Sequence, residues 1–198
     1  MHHDRASGSP PFGRNRSGYH VKTLADYLRA DLRILSIGLN PSPPSVAAGF
    51  YFANPRNRFW RAFEASGLAS TPVTPSPKAM TLLFEREGIG FTDVVKRPTP
   101  GGASLRAADF RRDAPLLKAK LERLRPGVAW FHGKQAWGMY LRYGENLSDA
   151  NIEWGAQRVR IGGCRVYVTP NPSPANAAYS LDDLIGWYRR LARYERRG

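Results

Sequence analysis

The sequence predicts an α/β protein, a single-domain three-layer α/β/α sandwich with a mainly parallel central sheet. Three observations predict it. Short apolar runs with strand character recur along the chain, and segments of helical periodicity separate them. The 198 residues are 42% hydrophobic and 12% aromatic, which fills one ordinary core and excludes global disorder. No internal repeat is visible.

Taken in order, residues 1–22 are rich in Gly, Ser, Pro and Arg without periodicity. They read as a flexible basic N-terminal tail, which leaves 23–198 as the folded domain. Leu24–Ala30 is expected as a short helix. Strands are expected at Arg33–Gly38, Gly90–Val95, Gly127–His132 and Arg165–Thr169. Arg158–Ile161 is expected to pair with the last of these across the Gly162-Gly163 turn. Between them, Asn57–Ser66 carries Phe59, Trp60 and Phe63 at helical spacing and stops at Gly67. Pro77–Arg86, Leu105–Leu124 and Lys134–Tyr143 are further helices, with Pro115 a point where the second could break. Ser180–Arg197 opens on a Ser180-x-x-Asp183 cap and aligns Leu181, Leu184, Ile185, Tyr188 and Leu191 on one face.

Charge narrows the partners. Lys and Arg number 30 against 16 Asp and Glu, a net +14 that suits a polyanion, either nucleic acid or an acidic membrane face. The single cysteine, Cys164, excludes a disulfide framework and a cysteine-held zinc ribbon or iron–sulfur cluster. Four histidines, at 2, 3, 20 and 132, form no His-x-x-x-His pair, so a metal site is not expected. No Walker loop, nucleophile elbow or Gly-x-Gly-x-x-Gly follows any strand. Ile34–Pro55 runs 22 residues without a charge, yet its four prolines, three serines and two asparagines exclude a lipid-facing helix. No apolar leader opens the chain, and the expected setting is cytosolic and reducing.

A parallel sheet binds ligands outside the carboxyl ends of its strands. The loops there are Leu39–Pro55, Lys96–Ala103, Gly133 onward and Pro170–Tyr179, so the two neutral stretches, Ile34–Pro55 and Val166–Leu181, are expected to form one pocket. Asn40, stiffened by Pro41, Pro43 and Pro44, offers an acceptor and two donors. It is suited to orient a water or an amide, and is a poor general base. Phe50, Tyr51 and Phe52 beside it could stack a flipped base, or could simply pack the core. Thr169-Pro170-Asn171-Pro172-Ser173-Pro174-Ala175-Asn176 is a second stiff, neutral loop. Arg56, Arg58 and Lys134, next to the pocket, are the expected phosphate contacts.

The blocks GLNPSPPSVAAGFYFANPRNRFWRAFEASGL (38–68) and TPNPSPANAAYSLDDL (169–184) resemble the mismatch-specific uracil-DNA glycosylases, the bacterial branch of the uracil/thymine-DNA glycosylase superfamily. Gly133-Lys134-Gln135-Ala136 also looks like that family's third-strand ending. The resemblance covers roughly Arg33 to Leu191. It implies a cofactor-free monofunctional enzyme of base excision repair that flips uracil from DNA and hydrolyses its N-glycosidic bond. Asn40 then matches the water-positioning asparagine, and Phe52 the ring that stacks on the base. The backbone of Leu39 and Phe52 would bind the base edge, and Ser45 would line the sugar side. Asn171, Ser173, Pro174, Ala175 and Asn176 match the loop that enters the duplex. The implied partner is duplex DNA holding uracil, opposite guanine by preference, with single-stranded DNA a second candidate. The implied state is a cytoplasmic, nucleoid-associated monomer without membrane contact. A non-catalytic binder of damaged or single-stranded nucleic acid on the same fold is the alternative.

The chain departs from the family at two places. Pro174-Ala175-Asn176 lacks the bulky leucine wedge of the bacterial type member, and Asp93 stands where an acid is not expected. A carboxylate there has a use. Breaking a glycosidic bond builds positive charge on the sugar, which an ionised acid stabilises while it takes a proton from the water. An unperturbed Asp titrates at about 3.9 and would be ionised at neutral pH. An ion pair with Lys96 or Arg97 is the competing reading.

Overall fold

The computed structural model describes residues 22–148 and 151–197. The expected tail, Lys22 apart, lies outside them. Four strands run parallel: β1 (Ile34–Gly38), β2 (Ile89–Asp93), β3 (Val128–His132) and, last in sequence, β5 (Arg165–Thr169). A two-residue strand, β4 (Gly155–Ala156), lies antiparallel on β5, giving the order β2-β1-β3-β5-β4. Gly38 stands opposite Asp93 and His132 opposite Thr169, so the parallel strands finish nearly level. That level edge positions the site.

Every residue of the three inner strands except Arg165 at the start of β5 is buried, because both faces of the sheet are covered. One face carries α2 (Phe59–Glu64), α3 (Pro77–Glu85) and α6 (Leu181–Glu195), whose Phe59, Phe63, Met80 and Tyr188 pack on Ile34, Phe91 and Trp130. The other carries α4 (Ala107–Leu124) and α5 (Lys134–Gly144), whose Leu117, Leu121, Trp137 and Tyr140 pack on Leu35, Ile37 and Phe131. Alternate strand residues feed opposite cores, as the period of two requires. The three-layer α/β architecture predicted from the sequence is the one observed.

Several elements differ from expectation. Leu24–Ala30 is extended, not helical: Tyr27 exchanges both backbone hydrogen bonds with Phe91 of β2. Tertiary pairing overrides its helix-forming composition. Gly90 makes room, since a Cβ there would lie 2.4 Å from the Tyr27 carbonyl oxygen. The expected partner of β5, Arg158–Ile161, contributes only an Ile161–Cys164 bridge, and β4 takes that place. Pro115 does not break α4: it sits on the exposed face, where water reaches the carbonyl it leaves unpaired. Inside the loop expected at 39–55 a short helix forms, α1 (Pro43–Ala48), capped by the Ser42 hydroxyl. Among the described residues no helix is long and apolar enough to cross a membrane.

Candidate active site

At the carboxyl edge of the sheet the loops after β1, β2, β3 and β5 enclose a cleft of about 490 Å³. Asn40, Phe52, Asp93, His132, Lys134 and Asn171 all line it, so both neutral stretches do converge on one pocket. A shallower depression of about 470 Å³ lies at the opposite end of the strands. There Arg33 is spent on Glu195 and on the carbonyls of Leu68 and Glu87.

Asn40 follows β1 directly and is half-buried. Its Nδ2 donates to the Thr99 hydroxyl at 2.8 Å and to the carbonyls of Pro41 (3.1 Å) and Arg97 (3.3 Å). Thr99 donates its own proton to the Gly101 carbonyl at 2.8 Å, so toward Asn40 it can only accept. Three acceptors on one side fix the amide orientation and leave Oδ1 as the free end. A pinned acceptor of this kind orients a water by taking one of its hydrogens.

Asp93 ends β2 next to Gly38, whose missing side chain is a requirement: a Cβ there would stand 2.5 Å from Asp93 Oδ1. The acid is 4% exposed, and its Oδ2 has no hydrogen-bond partner among the described residues. Burial pushes its carboxyl up to about 6; the Lys96 ammonium, 3.6 Å from Oδ2, opposes the rise, and Asp26 adds to it. Of the two cations proposed to pair with Asp93, Lys96 is adjacent, whereas Arg97 binds Asp109 at 2.7 Å. The carboxyl is therefore neither an ordinary surface acid nor a saturated ion pair. It is a buried group that changes charge near neutral pH, with one oxygen unclaimed.

Phe52 supplies a flat wall. Its ring stacks on Phe59 at 4.0 Å and 14° and meets His132 edge-on at 5.1 Å. Its φ of 58° is a left-handed conformation that a bulky side chain adopts at a cost of about 1–3 kcal/mol. Neighbours hold it there: Ala53 N–H donates to Ser45 Oγ at 3.2 Å, and Trp60 Nε1 donates to the Tyr51 carbonyl at 3.1 Å. Ser45, expected on the sugar side, thus also ties α1 to this turn, and it lines the cleft. The Leu39 carbonyl accepts from Val95 at 2.9 Å, which leaves its N–H as the group a ligand could meet. His132 is 2% exposed, and burial depresses its imidazole to about 3, so it stays neutral; Nε2 lies 2.8 Å from Ser36 Oγ.

The rim loop is locked on itself. Asn171 Oδ1 accepts from Ser173 N–H at 2.9 Å, Asn176 Nδ2 donates to the Asn171 carbonyl at 2.9 Å, and Ala175 N–H donates to Ser173 Oγ at 3.3 Å. Arg58 fastens the whole from below. Its guanidinium donates to the carbonyls of Ser173 and Asn176, each at 2.7 Å, to Pro172 at 3.4 Å and to Tyr179. In place of the phosphate contact that the sequence suggests, Arg58 commits its donors to main-chain carbonyls and acts as a clamp. Pro174 and Ala175 form an exposed tip, of which only Ala175 lines the cleft. Arg56 is exposed outside the cleft, and Lys134 projects over the Trp154 ring at 5.0 Å.

Sequence reasoning missed Thr99, His132 and Asp26, and it did not foresee that the Tyr51 hydroxyl joins Lys96 beside Asp93. Among the described residues no three His, Cys, Asp or Glu side chains converge as a metal site would require. Compared with known proteins, the family model described as the uracil DNA glycosylase superfamily matches residues 25–192. A solution structure from Methanosarcina acetivorans, provisionally named a uracil DNA glycosylase, shares the fold. The TM-score is 0.57 at 22% identity, over 88% of this chain and 98% of that one.

Proposed function

The chain belongs to the uracil DNA glycosylase superfamily, and on that premise we propose that it is a monofunctional glycosylase of the mismatch-specific branch. It takes uracil out of DNA, opposite guanine by preference, and leaves an abasic site. One observation carries the reading: a pinned Asn40 amide and an unclaimed Asp93 oxygen share a cleft at the ends of adjacent strands. A non-catalytic binder has no use for either.

The chemistry follows from those groups. The flipped base stacks on Phe52, with the Leu39 and Phe52 amides toward its edge. The bond between C1′ and the base nitrogen breaks, its electron pair leaves with uracil, and positive charge grows on the sugar. Ionised Asp93 stabilises that charge at close range in a water-poor site. Asn40 Oδ1 holds the water whose oxygen adds to C1′, and Asp93 receives the proton. No metal is required for any step. Arg56 and Lys134 face the phosphates, and the stiff Asn171–Asn176 rim meets the duplex where the base has left. Flipping costs less from a weak pair than from a sound one, which favours uracil opposite guanine.

Labelled duplexes holding U·G, U·A or T·G, and a single strand holding uracil, test this in the presence of EDTA, with alkali revealing abasic sites. The expected order places U·G first. Equal rates on U·G and U·A remove the mismatch preference, and tight binding with no abasic product establishes the non-catalytic alternative.

A further inference from the structure

We propose that Lys96 is a positioning residue for the Asp93 carboxylate, and that Asp26, anchored from its far side by Lys120, sets how much of the Lys96 charge reaches Asp93. This rests on the role given to Asp93 above. Two acids compete for one ammonium. Lys96 Nζ donates to Asp26 Oδ1 at 2.7 Å and stands 3.6 Å from Asp93 Oδ2, a contact of charge without a hydrogen bond. It also donates to the Tyr51 hydroxyl at 3.2 Å.

Neither partner is free to drift. The Lys96 backbone is held at both ends, its N–H by Asp113 at 2.9 Å and its carbonyl by the Thr23 hydroxyl at 2.6 Å. Asp26 accepts from Lys120 of α4 at 2.7 Å and from the Thr92 hydroxyl at 2.8 Å. Burial works against the Asp26 charge, but Lys96 and Lys120 overcome it and hold that carboxyl below its ordinary range. Asp26 thus stays an anion and keeps drawing Lys96 toward itself.

The groups around Asp93 can be taken element by element. The loop after β2 brings Lys96, the extended segment beside β2 brings Asp26, and the loop after α1 brings the Tyr51 hydroxyl. The α4 helix acts through Lys120 on Asp26, and β3 contributes the neutral His132 to the same cleft. One cation favours ionised Asp93, and one anion disfavours it. An opposite charge at this range moves a carboxyl by about 1–3 pK units, and a like charge moves it the other way.

Opposite signs make the test selective. Carboxyl ¹³C NMR of aspartate-labelled protein, with the Asp93 signal assigned by its absence in Asp93→Asn, gives the Asp93 midpoint directly. Single-turnover excision against pH gives the acid limb. Lys96→Met is expected to raise the midpoint by about one pH unit or more. Asp26→Asn, which removes the like charge and releases Lys96 to Asp93, is expected to lower it. Lys96→Gln repeats the first arm should the Met variant unfold. A midpoint that stays put in both, or moves the same way in both, overturns the proposal. A midpoint that moves as expected while the acid limb does not follow upholds the Lys96–Asp26 competition and removes Asp93 from the chemistry, a distinct failure.

Discussion

Asp93→Asn should make this protein more stable and nearly inactive. The folded carboxyl titrates near 6 against an ordinary 3.8, so the native state holds the proton more tightly than the unfolded chain does. Ionised Asp93 therefore costs stability above its folded midpoint, and the cost fades as pH falls toward the unfolded value. With about 1.4 kcal/mol per pK unit, the cost is about 3 kcal/mol at pH 8, about half that at pH 5 and smaller still at pH 4. Asparagine keeps the shape and removes the charge. For a chain of this size the gain corresponds to roughly 5–10 °C in Tm at pH 8 and much less at pH 4. Thermal melts of both proteins at these pH values measure it. Single-turnover excision on a U·G duplex should fall ~10²-fold or more in the same variant, with duplex binding kept or tightened because a negative charge has left the cleft. Melting at or below wild type at pH 8, or a gain independent of pH, refutes the burial argument. A wild-type rate refutes the catalytic one.

Three further outcomes are expected. Asn40→Ala should retain duplex affinity and lose most excision, while Thr99→Val, which releases the Asn40 amide, should lower the single-turnover rate roughly tenfold and Thr99→Ser should restore it. Arg58→Met strips donors from the Ser173, Asn176 and Tyr179 carbonyls; protease cleavage within 171–179 should quicken and stability drop by about 1–3 kcal/mol, and Arg58→Lys should not rescue, because one ammonium cannot serve several carbonyls. Duplex affinity should fall linearly in log–log form with salt, and Arg56→Ala and Lys134→Ala should each lower the slope by about 1, whereas Arg58→Met should leave it unchanged.

What could be read before folding follows how locally each feature is encoded. Asn40 was legible because strand, glycine and prolines adjoin it in sequence. Thr99, which pins it, is 59 residues away, and nothing local marks that pairing. Arg58 looks like any basic residue on a helix approach, since its carbonyl partners lie 114 to 121 residues downstream. The α1 helix did carry a signal, Ser42 followed by Pro43 and Pro44, the start signature of a helix, hidden by the expectation that prolines mean loop. The burial of Asp93, which decides its chemistry, depends on Gly38 from another strand and on the segment at Leu24–Ala30, whose helical composition concealed its extended form.

That segment has a consequence for handling the protein. The outer side of β2 would otherwise present unpaired backbone groups, a template on which another chain can add a strand. Tyr27 occupies that template for one residue pair, and Asp26 beside it reaches inward to Lys96. Colloidal behaviour and active-site charge are therefore carried by neighbouring residues of one short stretch. Trimming the chain past Tyr27 would bare the strand to self-association and alter the acidity of the cleft in a single cut.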